Sequence, residues 1–100
     1  FSAVDPVALR YSIRFARGQS LEALGRLEEA AIAFEAASEI DPKRTGALGA
    51  LSTVMRMLGR REDAVGALDR ALRIDPDHPK HLFNRGTYHL ESDEEEGLAG

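Results

Sequence analysis

Three histidines, a row of arginines and scattered serines are the side chains of this sequence that could do chemistry. His78 and His81 stand three residues apart, a spacing that on an established helix brings two imidazoles to one face, as a zinc site requires. Here His78 sits between Pro76 and Pro79 at a turn, where that face is not yet formed, so no metal ion is expected. His89 lies about two helical turns beyond His81, too far to share an ion. Ser20, Ser38 and Ser52 have no histidine at a neighbouring helical position to act as base. The glycines stand singly at helix joints rather than in a phosphate-cradling loop. Carboxylates are plentiful but fall on outer helix faces, and no apolar pocket can be argued around one to raise its pKa. Arg10, Arg14 and Arg17 share a line on one helix; the expectation is a solvated face whose stems cover apolar surface, with an anion site as the alternative. No enzyme activity and no cofactor are expected of these residues.

The bulk composition narrows the partners. One hundred residues, 43% apolar and 30% charged, suit one folding unit whose elements share a core. A net charge of -4, with basic residues scattered among acids, offers no general attraction to phosphate backbones or anionic lipid, so neither nucleic acid nor membrane is expected. No apolar run approaches the roughly 18 residues of a membrane helix. The absence of cysteine rules out disulfides and thiolate metal sites. The chain starts at Phe1 without a signal-peptide pattern, as a piece of something longer or an already processed product would, and the cytoplasm is the default compartment.

The positioning elements follow from periodicity. Asp5 and Pro6 read as an N-cap and first-turn proline. Beyond them Val7, Tyr11 and Phe15, with Ile13, Ala16, Leu21 and Leu24 on a neighbouring line, mark an apolar stripe. Gly25 suits a left-handed helix stop, and a second helix carries Ala30, Phe34 and Ala37 before Asp41 and Pro42 end it. The stretch Gly25 to Pro42 then returns 34 residues later as Gly59 to Pro76, with nine identities in eighteen positions. Between them Thr45 is the expected N-cap of a helix through Leu48, Leu51, Met55 and Leu58, and Ala64, Leu68 and Ala71 repeat the small-large-small face. Gly46 and Gly49 weaken that third helix and leave a low, open place beside it. A fifth helix starts at Pro79, Arg85-Gly86 repeats Arg17-Gly18 two periods on, and the acidic run from Ser92 is the expected start of a sixth.

This period, with Gly18 and Gly86, Gly25 and Gly59, Ala30 and Ala64, Phe34 and Leu68, Ala37 and Ala71, and Pro42 and Pro76, resembles the tetratricopeptide repeat over about residues 11 to 92. The resemblance implies an all-α fold: a right-handed superhelical array of antiparallel helix pairs, an α-solenoid. Its units would be 11–44, 45–78 and a truncated third over 79–100, within a single domain covering 1–100. Arg14, Arg17 and Arg85 stand where the family often has an aromatic residue or leucine, and Ser52 replaces the first-helix glycine, so looser packing within the pairs is expected.

In that family the first helices line a concave groove. The residues carried onto it are Ser12, Phe15, Gln19, Glu22 and Ala23, then Gly46, Gly49, Thr53, Arg56 and Met57, then Lys80, Phe83, Asn84 and Thr87. Phe15, Met57 and Phe83 would anchor apolar groups, Gln19, Thr53 and Asn84 would bond an extended backbone, and Arg56 and Lys80 would meet carboxylates. Relatives that clamp a chaperone's terminal carboxylate need lysines and asparagines, and here only Lys80 fits. The resemblance implies a scaffold that binds a protein or peptide partner, with an accessory segment of a larger enzyme as the alternative. Self-association through an open face near Leu82, Phe83 and Leu90 is a third expectation. Phe15→Ala and Arg56→Glu are expected to weaken binding without moving the melting temperature.

Overall fold

A computed structural model describes residues 5–99, with side chains described through Glu91. Its described residues form α1 (Pro6–Ala23), α2 (Leu27–Ile40), α3 (Gly46–Met57), α4 (Arg61–Ile74) and α5 (Pro79–Ala99). The Asp5 carboxylate accepts from the Val7 amide at 2.9 Å, so α1 begins as the Asp-Pro pair dictates. Gly25 and Gly59 hold φ of 77° and 79°, the left-handed region that a side chain disfavours. In the first turn Arg26 N donates to Leu21 O and Gly25 N to Glu22 O. Arg60 and Gly59 repeat both bonds on Met55 and Arg56, so the two repeats close their helices with the same doubly bonded stop.

Helix α5 departs from the expected plan. It runs unbroken to Ala99, and the sixth helix expected near Asp93 is not there. Asp93 stands one period after Gly59, where no glycine supplies the positive φ that turned the chain twice before.

Each helix packs on its neighbours in chain order, α1 on α2, α2 on α3, α3 on α4 and α4 on α5. The main core is shared: Leu21 of α1, Ala30, Ala31, Ala33 and Phe34 of α2, Leu48, Leu51 and Val54 of α3, and Ala67 and Ala71 of α4. One helical pair could not bury this surface alone, which is why the repeats stack. Ala30, Phe34 and Ala37 are fully buried, as are Ala64, Leu68 and Ala71. The small residues let the backbones approach while the large one fills the space between.

Packing inside the first pair is tight, against expectation. A Cβ on Gly18 would come 2.5 Å from the Phe34 ring, so the glycine is the recess that accepts the ring. The second pair carries Ser52 and Leu68 at these positions, both buried, with the Ser52 hydroxyl satisfied by Gly49 O at 2.6 Å. A smaller apolar partner thus accompanies the larger helix residue, and Ser52 costs the fold no unpaired hydroxyl.

Candidate functional site

Helices α1, α3 and α5 lie side by side, joined by three cross-repeat contacts. The Ala47 amide donates to the buried Tyr11 hydroxyl at 2.8 Å. His81 Nε2 meets Thr45 Oγ1 at 3.0 Å. Arg56 grips both carboxylate oxygens of Glu91 at 2.8 and 2.6 Å and lies over the Tyr88 ring. Along the opposite side Arg70 of α4 holds Glu35 of α2 in the same two-pronged way. All four contacts span 35 or 36 residues, one repeat plus one or two. The lateral step between equivalent helices therefore sets which residues meet.

Thr45 occupies the N-cap position of α3, but its hydroxyl caps nothing there and serves His81 instead. The orphan amide of Ala47 is met from the neighbouring repeat by Tyr11. Burial pushes the Tyr11 phenol above its ordinary pKa, partly offset by the amide it accepts from. Tyr11→Phe keeps the ring stacked on Phe15 and leaves the Ala47 amide unpaired. It is expected to cost about 1–2 kcal/mol in urea unfolding.

His81 also explains Gly49. A Cβ there would come 2.8 Å from His81 Cε1, so the glycine seats the imidazole and leaves no open pocket. The His78 and His81 rings do converge, stacked with centroids 3.9 Å apart, although the turn suggested otherwise. His78 Nδ1 accepts from the His81 amide, placing it as a cap on α5. Burial first, then the neighbouring His78 and Lys80 charges, holds the His81 pKa below its ordinary value. The unfolded chain therefore takes up a proton that the folded chain resists. This contribution to stability is complete above the ordinary histidine pKa of about 6.5 and is lost as pH falls toward the lower folded value. The melting temperature is expected to drop as pH falls below the ordinary histidine pKa, and His81→Gln to flatten that part of the profile. Glu91, whose pKa Arg56 holds below the ordinary carboxylate value, acts only at more acidic pH.

The groove residues expected from sequence divide into two sets. Phe15 is half-buried between Tyr11 and Phe34, with ring centroids 5.8 and 5.5 Å away, and so belongs partly to the core. Arg56 is committed to Glu91. Both substitutions expected to leave stability unchanged would remove these contacts, so that expectation is corrected. Thr53 and Thr87 turn their hydroxyls back to Gly49 O and Phe83 O. Ser12, Gln19, Ala23, Gly46 and Lys80 are exposed, and Glu22 and Asn84 half-buried. The exposed apolar side chains are Met57 at 51% and Phe83 at 73%. Sequence reasoning missed Tyr11, Thr45, His81, Tyr88 and Glu91 as joints; pairing each residue with those 35 or 36 further on would have found most of them.

A family model described as tetratricopeptide repeat matches residues 21–82. The chain belongs to the tetratricopeptide repeat family. The match covers the end of α1, all of α2, α3 and α4, and the first turn of α5. No curated protein is similar enough to the chain to count as a match. Tetratricopeptide repeats generally mediate protein–protein interactions. Among the described residues no helix is long and apolar enough to cross a membrane.

Proposed function

We propose that this tetratricopeptide repeat chain is a non-catalytic interaction module that holds a partner peptide or helix along α1, α3 and α5. The observation that carries this reading is the pair of exposed apolar side chains, Met57 on α3 and Phe83 on α5, on adjacent helices tied together by the Arg56–Glu91 and His81–Thr45 contacts. Gln19 and Asn84 make no hydrogen bond with a described residue, leaving amides able to bond an extended backbone. Lys80 and Glu22 supply charges of opposite sign for orienting a ligand. Arg56 acts as a strut that preorganises the wall rather than as a ligand cation.

The test is capture of partners from a lysate by the wild type, by Met57→Ala/Phe83→Ala, and by a control on α4, Arg73→Ala. The double variant is expected to lose captured protein while its helicity and melting temperature stay within error of the wild type. Equal capture by all three would reject the groove assignment.

A further inference from the structure

The 34-residue register allows the two helical pairs to be compared position by position. In the second pair, a helix fills the face that α3 and α4 share. Leu48 and Leu51 of α3 and Ala67 of α4 pack with Ala30, Ala31 and Phe34 of α2, and Arg70 of α4 holds the Glu35 carboxylate of that same helix. One period earlier, Arg14, Arg17, Ala33 and Ala36 stand at the positions of Leu48, Leu51, Ala67 and Arg70, so cations replace the core leucines. The equivalent face of α1 and α2 is open. Ile13 is 57% exposed, and a groove of about 580 Å³ runs from Arg10, Ile13 and Arg14 to Ala36, Glu39 and Ile40 of α2. It continues past Arg17 to Ile32, itself 70% exposed.

The charges along this groove are unbalanced. Arg26, Arg56, Arg60, Arg70 and Arg85 each hold a carboxylate of the chain, whereas Arg10, Arg14 and Arg17 make no ion pair or hydrogen bond with a described residue. Of the two acids that line the groove, Glu29 is engaged by Arg26, which leaves Glu39 against three cations. A helix as apolar as the buried face of α2 would strip water from these guanidinium groups and give them no partner, a cost that its packing would not offset. A helix that brings carboxylates meets no such cost. The arginines stand at steps of four and three residues, spread over about 10 Å of α1, so acids at similar steps on a helix laid along the groove would face all of them. Bidentate pairing of guanidinium with carboxylate then adds to the apolar contact.

We propose that the α1/α2 groove docks an acidic amphipathic helix of a partner protein, seated as α2 is seated on α3 and α4, with its carboxylates on Arg10, Arg14 and Arg17 and its apolar stripe on Ile13, Ile32 and Ile40. The site shares no residue with the Met57 and Phe83 surface, so it is a second docking site. The net charge of -4 repels an acidic ligand in general, so the attraction is confined to this groove.

The probe is a fluorescein-labelled synthetic peptide of about 18 residues, five helical turns, with leucines at alternating steps of three and four, glutamates flanking that stripe and alanine elsewhere. Its control has the same composition with the leucines spread around the helix. Fluorescence anisotropy with the full chain at low salt is expected to show saturable binding of the striped peptide, weakened at about 1 M NaCl, where the screening length is about 3 Å. Arg10→Gln/Arg14→Gln/Arg17→Gln should weaken it about tenfold or more, and Arg73→Gln, an arginine on α4 outside the groove, by less than about twofold. Ile13→Ser/Ile32→Ser should weaken it as well, and all variants should keep wild-type helicity because the substituted side chains are exposed. No saturable binding, equal binding of the two peptides, or an arginine variant that binds like the wild type would overturn the proposal. So would sedimentation velocity showing that the chain alone self-associates and that the arginine variant does not, since the groove would then belong to a second copy.

Discussion

Phe34→Ala is expected to lower the unfolding free energy by about 3–5 kcal/mol, the range for deleting a fully buried aromatic side chain. No part of Phe34 reaches solvent. It belongs to the cluster that joins α2 to Leu21 of α1, to Leu48, Leu51 and Val54 of α3, and to Ala67 and Ala71 of α4. Its ring also abuts Phe15 and the bare backbone of Gly18. Truncation removes the transfer free energy of the ring and leaves a cavity that the flanking alanines are too short to fill. Since small domains have only about 5–15 kcal/mol in total, the variant should be partly unfolded at body temperature. Urea titration followed by circular dichroism measures the loss, and Ile32→Ala, at an exposed position on the same helix, is the neutral control. A cost below about 1 kcal/mol would mean that the ring is not the keystone of the first pair.

Gly18→Ser is expected to cost about 2–3 kcal/mol, because the new Cβ would lie 2.5–2.9 Å from three atoms of the Phe34 ring. The neighbour that must move is a rigid aromatic inside the core, so no flexible side chain can absorb the clash. The second repeat already contains the compensating arrangement, Ser52 with Leu68. Installing it in the first repeat as Gly18→Ser/Phe34→Leu should therefore cost less than the sum of the two single changes. A double-mutant cycle reads this as a coupling of about 1 kcal/mol or more. Strict additivity would show that the two positions do not share one packing site.

Much of the fold is legible along the chain because a repeat states its rules more than once. Gly25 and Gly59 announce the same turn, and Ala30, Phe34 and Ala37 the same crossing as Ala64, Leu68 and Ala71. These features are local or lie within one helical pair, where helical periodicity and glycine stereochemistry predict the outcome directly. The end of α5 departs from the repeat for the opposite reason: the 34-residue register reaches Asp93, where the glycine that makes the turn is missing.

The candidate groove was legible only as a set of positions. Phe15 and Arg56 fall on the expected helices, but their roles depend on Phe34 in one case and on Glu91 in the other. Thr45 illustrates the same limit. Its type and place both suit an N-cap, yet His81, 36 residues away, takes its hydroxyl, and Tyr11 supplies the partner for the helix amide.

The sequence by itself thus determines the helices, their stops, the 34-residue period and the small-large-small crossings, because each follows from residue type and spacing within a few turns. Only the tertiary structure decides which side chains remain free to meet a partner. Stacking brings residues 35 or 36 apart into contact, and there Arg56, Thr45 and Tyr11 spend their bonding capacity inside the protein, while Met57, Phe83 and the arginines of α1 remain exposed.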